Sequence, residues 1–211
     1  MESTRSFRQK SRSDTREALI WVGTEMCTER GFQVTRIEEV LKRAGVPKGS
    51  FYHFFRDKQQ FGEAVIDNYG NYFLRKLDRL LSNMDRTPLD RLREFTQEAA
   101  RGMARFDFQR GCLIGNLGQE LGGLNQEFRG RLEAILLQWQ ERTARCLTEA
   151  VDAGQLAHDT DVDRLSEYFW IGWEGAILRS KLSRSVRPIE IFADKFFESL
   201  APSLNREASR A

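Results

Sequence analysis

The chain has 211 residues, of which 30% are charged, 40% hydrophobic and 11% aromatic, and its net charge is only +2. Such a composition can form a packed core, which excludes a disordered or collagen-like chain. The N-terminus is polar and basic, and no apolar run approaches the roughly 18 residues of a membrane span. We therefore expect a cytoplasmic protein that does not enter a membrane.

The cysteines are Cys27, Cys112 and Cys146. They are too few and too widely spaced for a disulfide framework or a zinc site. In a chain without an export sequence they are expected to be reduced thiols. The sequence thus predicts no metal and no cofactor.

Charge is unevenly distributed along the chain. Residues 1–58 hold 12 Lys or Arg against 8 Asp or Glu, a net +4, whereas residues 59–211 hold 21 against 23, a net −2. This asymmetry favours a polyanion-binding domain at 1–58, including a basic N-terminal arm, and a body at 59–211 with another task.

Helical periodicity without strand-like alternation predicts an all-α protein of about nine helices. Thr35, with Glu38 three residues later, has the pattern of a capping box, and Gly31 and Gly45 suit the ends of helices. The predicted helices run from about Asp14 to Arg30, Thr35 to Ala44, Ser50 to Phe55, Lys58 to Met84, Pro88 to Phe106, a short one within 108–126, Asn125 to Ala153, Asp161 to Leu182 and Pro188 to Leu200.

Two short helices around Gly45-Val46-Pro47 fit a helix-turn-helix, whose second helix enters the major groove of DNA. Lys48 can contact a phosphate or a guanine edge, and Gly49 allows close approach of the backbone. Ser50 can hydrogen-bond to a phosphate or to a base. Tyr52 and His53 project from the next turn, and Phe51, Phe54 and Phe55 are placed for the core.

Further phosphate contacts are predicted around these helices. Thr35 opens the preceding helix, where free amides favour an anion, and Lys58 can clamp the DNA backbone. Basic residues of the arm would add salt-dependent affinity; they are Arg5, Arg8, Lys10 and Arg12. Spacing alone leaves open that all these charges are simply solvated.

The stretch Gly31-Phe32, Thr35 to Lys58 and Phe61 resembles the N-terminal domain of TetR family transcriptional regulators, most specifically in the run from Gly49 to Phe55. The resemblance implies a dimer that binds a palindromic operator, with a three-helix DNA-binding head, a linking fourth helix and a ligand-binding body. It places DNA contacts at Thr35, Lys48, Gly49, Ser50, Tyr52, His53 and Lys58.

The predicted helix 161–182 has one continuous face, formed by Trp170, Trp173, Glu174, Ile177, Leu178 and Lys181. This face is either core or dimer interface with Glu174 and Lys181 at its rim, or the wall of a ligand pocket. Both can hold, because the resemblance implies a four-helix dimer interface of the last two helices beside the pocket.

Cys112 follows Arg110 and lies near the start of a predicted helix. A neighbouring cation and the helix dipole both favour the reactive thiolate, and the surrounding glycines would give access. The alternative is that Cys112 is a small buried hydrophobe. Cys27 and Cys146 are expected to be bystanders, and Trp21 and Trp139 core anchors.

The segments 110–120 and 169–181 are similar to a subgroup of TetR regulators that controls genes for acrylate metabolism and for reductases of reactive electrophiles. This implies a small effector: an unsaturated carboxylate or its thioester, or an electrophile sensed at Cys112 and Lys181. The candidate ligand and sensor residues are Cys112, Asn116, Trp170, Trp173, Glu174 and Lys181.

Two other classes of function compete with this interpretation. A cysteine-dependent enzyme would use Cys112 as nucleophile and a nearby histidine as base. Neither histidine suits that pairing, because His53 lies in the predicted DNA-reading helix and His158 in a polar turn. A helical binding protein without DNA activity is disfavoured by the intact predicted DNA contacts.

Overall fold

A computed structural model describes residues 12–200, which contain eight α-helices, one 3-10 helix and no strand. This confirms the all-α prediction. The helices are α1 (Arg12–Arg30), α2 (Ile37–Ala44), the 3-10 helix (Lys48–His53), α3 (Lys58–Leu81), α4 (Pro88–Arg105), α5 (Leu113–Leu121), α6 (Gln126–Asp152), α7 (Val162–Ser183) and α8 (Arg187–Leu200). The predicted basic arm before residue 12 and the tail after residue 200 lie outside the described residues.

Most helix boundaries are set by the local residues that the sequence indicates. Asp57 accepts from the backbone N–H of Gln60 at 2.8 Å and begins α3, and Asp161 accepts from that of Arg164 at 3.0 Å and begins α7. Gly45 ends α2 with φ of 68°, a left-handed conformation that favours glycine. Local capping chemistry therefore predicts these helix ends correctly.

The capping box at Thr35 is wrong. The residue that precedes α2 is Arg36, which makes no capping hydrogen bond. Thr35 is only 1% exposed, and its hydroxyl donates to the carbonyl oxygen of Gly31 at 2.6 Å. The hydroxyl thus satisfies a carbonyl at the end of α1, which local spacing does not reveal.

The predicted recognition helix is a 3-10 helix. Pro47 has no N–H and Gly49 disfavours helix, so the segment has little intrinsic tendency to form a regular α-helix. Phe51 and Phe55 anchor it: each is 1% exposed, and their rings lie 5.6 and 5.1 Å from that of Phe61. Their predicted core role is confirmed, and Phe54 is half-buried against the same core.

An aromatic cluster holds the body together. Trp139 of α6 is fully buried, and its ring lies 5.2 Å from that of Trp170 on α7. Trp170 Nε1 donates to the hydroxyl of Thr143 at 3.0 Å. Trp139 is therefore the core anchor that the sequence predicts; Trp170 packs in the same core, and its ligand role stays a prediction.

Within residues 12–200, no helix combines the length and apolar composition that a bilayer crossing needs. Nor do these residues include a group of three or more His, Cys, Asp or Glu placed to hold a metal ion.

Candidate DNA interface and effector cavity

The predicted DNA-reading residues lie on the outer side of the 3-10 helix. Tyr52 is 75% exposed, and Lys48 and His53 are also exposed. A Cβ built on Gly49 would have no atom within 4 Å, so this side of the helix is open to a close approach. Ser50 is half-buried. Because Phe51 faces the core, the helix presents its polar side outward.

Thr35 and Lys58 lie in the same head but have partners inside it. Lys58 Nζ donates to the carbonyl oxygen of Gln33 at 2.9 Å and lies 4.8 Å from the ring centre of Phe32. The hydroxyl of Thr35 is buried. Their DNA contacts stay predictions, and both side chains would have to change partners to reach a phosphate.

A cavity of about 280 Å³ lies in the body beside the head. Its walls come from α1, α3, α4, α7 and the segment before α5. Cys112 and Trp173 are the predicted ligand residues that line it, and Tyr69, Tyr72 and Phe73 of α3 form an aromatic wall. The sequence could have indicated this wall, because these residues share one helical face.

The cations at the cavity wall are already paired. Lys76 Nζ lies 3.3 Å from a carboxylate oxygen of Glu98. Arg110 donates to Glu29 at 2.9 Å and to Glu25 at 3.1 Å, and its guanidinium lies 4.2 Å from the ring centre of Phe106. The cavity therefore offers mainly aromatic and apolar surface to a ligand.

The predicted core role of Trp21 is wrong. Trp21 is 57% exposed and lines the cavity. Its side chain lies on α1 at the wall of the cavity and is open to solvent, so it is not packed in the core. An aromatic residue at a cavity mouth and one in a core cannot be told apart by helical spacing alone.

Cys112 precedes α5 and accepts from the backbone N–H of Gly115 through Sγ at 3.5 Å. It is only 7% exposed. Burial, followed by the nearby charge of Glu174, raises the pKa of its thiol well above the usual value. Arg110 does not activate it, because the guanidinium is held by α1 carboxylates. Of the two alternatives for Cys112, a buried thiol fits this environment better than an activated thiolate, and its sensor role stays a prediction.

Glu174 of α7 lies next to this thiol. The carboxyl and Cys112 both border Gly115, and Glu174 Oε1 is buried without a hydrogen-bond partner. Burial raises the pKa of Glu174 to about 7. A Cβ at Gly115 would lie 2.0 Å from Glu174 Oε2, so only glycine leaves room for the carboxyl.

Lys181 and Asn116 contact the end of α1 and are not among the residues that line the cavity. Lys181 Nζ donates to the carbonyl oxygens of Glu29 at 3.2 Å and Thr28 at 3.4 Å, and burial lowers its pKa. Asn116 Nδ2 also donates to the carbonyl oxygen of Thr28, at 3.4 Å. The sensor roles of both side chains stay predictions.

Glu120 makes a contact between body and head that the sequence analysis missed. Its carboxylate accepts from the backbone N–H groups of Phe32 at 2.8 Å and Gln33 at 2.6 Å. These two residues form the turn between α1 and α2. Since α5 starts after Cys112 and ends one residue beyond Glu120, one short helix joins the cavity to the DNA-binding head. A contact across this distance in the chain leaves no local sequence pattern.

Exposed predicted DNA-reading residues and a cavity in one chain are the arrangement expected of a ligand-responsive transcriptional regulator. Residues 19–65 match the model described as bacterial regulatory proteins, tetR family, and residues 88–196 match the tetracyclin repressor-like C-terminal domain. The chain belongs to the TetR family.

Relatives extend this likeness over most of the chain. It is 51% identical to the transcriptional regulator AcuR of Cereibacter sphaeroides over 180 residues, 85% of this chain and 82% of that one. It is 33% identical to the transcriptional repressor NemR of Escherichia coli K12, covering 84% of this chain and 89% of NemR. A crystal structure of a TetR regulatory protein from Rhodobacter sphaeroides matches with a TM-score of 0.84 and 49% identity, over 87% of this chain and 97% of that one.

These matches confirm the family and the subgroup resemblance drawn from the Cys112 and Trp173 segments. The relatives are transcriptional regulators, and the chain is a regulator of this type and not an enzyme.

Proposed function

We propose that the protein is a cytoplasmic repressor that binds a palindromic operator as a dimer and is released by a small effector in the cavity. The observation that carries this proposal is the course of α5. Its N-terminal residue borders Cys112 at the cavity, and Glu120 near its C-terminus holds the turn before α2.

The effector acts because its affinity differs between two arrangements of the body. A ligand that fits the cavity better when α5 is displaced would favour that displacement. Glu120 would then carry the turn between α1 and α2 with it and move the 3-10 helix. Because both heads of a dimer must reach their half-sites together, a changed separation weakens operator binding.

The dimer surface is proposed on α7 and α8. Large apolar side chains remain exposed along these helices, and such a patch is typical of a protein interface. Ile171 is 68% exposed and Leu182 is 71% exposed. The full set in the described residues of these helices is Tyr168, Ile171, Leu178, Leu182 and Ile191.

The cavity supports a small, largely apolar effector. Its volume of about 280 Å³ and its aromatic walls suit a short unsaturated carboxylate, its thioester or an uncharged electrophile. Cys112 lies at the wall and is the nucleophile that a covalent effector would meet. Trp173, the other predicted ligand residue that lines the cavity, would enclose the effector.

The test is a DNA-release assay with an operator selected from random duplex DNA. Acrylate, an acryloyl thioester, methyl acrylate, a quinone, an aldehyde and hypochlorite are compared on the wild-type chain. A proposed effector should lower operator affinity about 5- to 150-fold, the usual range of allosteric coupling. No binding to any duplex would instead support a helical binding protein without DNA activity.

Replacing Cys112 with serine is expected to abolish release by the electrophiles, because the hydroxyl is a far weaker nucleophile than the thiol at neutral pH. Operator affinity without effector should be unchanged. Operator affinity is measured for each variant by fluorescence anisotropy.

Cys146→Ser is the matched control. Cys146 is also buried, at 2% exposure, but it lies on α6 and its thiol donates to the carbonyl oxygen of Pro88 at 3.2 Å. This variant should respond like the wild type. An undiminished electrophile response in Cys112→Ser would refute covalent sensing at Cys112.

A further inference from the structure

We propose that Glu174 is the general base and acid for Cys112, taking the thiol proton during addition to an unsaturated carbonyl compound and returning it to the product. The inference rests on the proposed sensing role of Cys112 and deepens it. It assigns chemistry to a buried carboxyl that repressor function alone leaves unexplained.

The geometry supports a proton transfer between these two groups. Cys112 and the Glu174 carboxyl both border Gly115, and Cys112 lines the cavity. Glu174 Oε1 is buried and has no hydrogen-bond partner. Gly115 supplies the space, since any Cβ there would lie 2.0 Å from Glu174 Oε2. Burying a carboxyl oxygen without a hydrogen-bond partner costs free energy, so stability of the fold does not account for this group.

The reaction balances without an oxidant or a reductant. Sγ forms a bond to the β-carbon of the unsaturated carbonyl compound while the S–H proton passes to the Glu174 carboxylate. The π electrons of the C=C bond move onto the carbonyl group as an enolate. Glu174 then returns the proton to the α-carbon, which leaves a thioether on Cys112 and an ionised carboxylate. The same carboxyl therefore serves both steps.

This arrangement makes the thiol selective. Without a bound acceptor, Cys112 is buried and protonated, so it reacts slowly with reagents that need a free thiolate. It reacts when an acceptor lies in the cavity and Glu174 can accept the proton. The structure thus favours conjugate acceptors as effectors over small oxidants such as hypochlorite.

The experiment measures the alkylation rate of Cys112 by methyl acrylate in the full-length protein without DNA. Peptide mass spectrometry separates Cys112 from Cys27 and Cys146. Glu174→Gln should slow the reaction at pH 8 about 100-fold, the lower end of general acid–base effects. Glu167→Gln, an exposed glutamate two turns earlier on α7, is the matched control and should react like the wild type.

The direction of the change separates the two roles that Glu174 can have. If its charge only raises the pKa of the thiol, removing the charge lowers that pKa and alkylation becomes faster. A faster or unchanged rate in Glu174→Gln would therefore overturn the proposal, as would a wild-type protein whose Cys112 is not alkylated.

The pH profile of the wild type gives a second measurement that does not depend on the variant. The pKa of Glu174 is about 7, so the ionised base is gained as pH rises and the rate should increase through pH 7 and then level. The other titratable groups that face Glu174 are Cys112 and Tyr69, and burial raises both their pKa values well above this range. A rate that shows no inflection near pH 7 would contradict the role of Glu174.

These readouts are independent of DNA release. Slower alkylation of Cys112 in Glu174→Gln supports the role of Glu174 even when the alkylated protein still binds its operator. Retention of the operator by that adduct would count against the proposed sensing function instead.

Discussion

Replacing Tyr52 with alanine is expected to weaken operator binding about 10- to 100-fold, the loss of one good contact of roughly 1–3 kcal/mol. Tyr52 is the most exposed aromatic side chain of the described head, at 75%, and it lies on the outer side of the 3-10 helix. Its ring lies edge-on to that of Phe51, at 5.4 Å between centres. The fold should therefore persist, and titration of labelled operator by fluorescence anisotropy measures the loss.

Leu124→Ala is the control for this variant. Leu124 is 73% exposed and lies between α5 and α6, outside the head. Both variants should sediment as the wild type does. If Tyr52→Ala binds operator like the wild type, or loses its oligomeric state, the assigned role of Tyr52 is wrong.

Glu120→Gln is expected to uncouple the effector from the operator. The carboxylate accepts two backbone N–H groups of the turn before α2, and charge-assisted hydrogen bonds are roughly twice as strong as neutral ones. Glutamine offers a neutral oxygen and places an NH₂ group against the second N–H. We expect the response to methyl acrylate to fall from the 5- to 150-fold range of coupling to about 2-fold or less.

The measurement is operator affinity with and without methyl acrylate, in the variant and the wild type. Gln119→Ala is the control, since Gln119 is exposed on the same helix one residue earlier. Alkylation of Cys112 should be unchanged in Glu120→Gln, which separates lost coupling from lost sensing. A full effector response in this variant would show that α5 does not transmit it through Glu120.

Features that depend on a few neighbouring residues could be predicted from the sequence. The caps at Asp57 and Asp161 and the left-handed Gly45 need only local chemistry, and the structure places them as expected. The core role of Phe51 and Phe55 follows in the same way from their position in a short helix.

Features that depend on packing between distant segments could not be predicted. Arg110 stands two residues from Cys112 in the chain, yet its guanidinium is bound by Glu25 and Glu29 of α1. The thiol instead meets Glu174, from a helix about sixty residues later. The sequence therefore identifies Cys112 as a candidate site, but it gives the wrong charge for its environment.

The cavity could be predicted only in part, because it too depends on packing between distant segments. Helical periodicity predicts one face on α7, but the residues of that face have different surroundings: Trp170 packs in the core and Trp173 lines the cavity. Periodicity shows which residues share a face of a helix. It does not show which neighbouring helix covers each part of that face.

Binding of the full-length protein to a palindromic operator and to the same duplex with one half-site scrambled tests the central claim most directly. Mass photometry counts protomers on each DNA, and methyl acrylate is then added. The account predicts two protomers on the intact operator, a large loss of affinity when one half-site is scrambled, and release by methyl acrylate. A single protomer that binds both duplexes equally well and stays bound with methyl acrylate would contradict it.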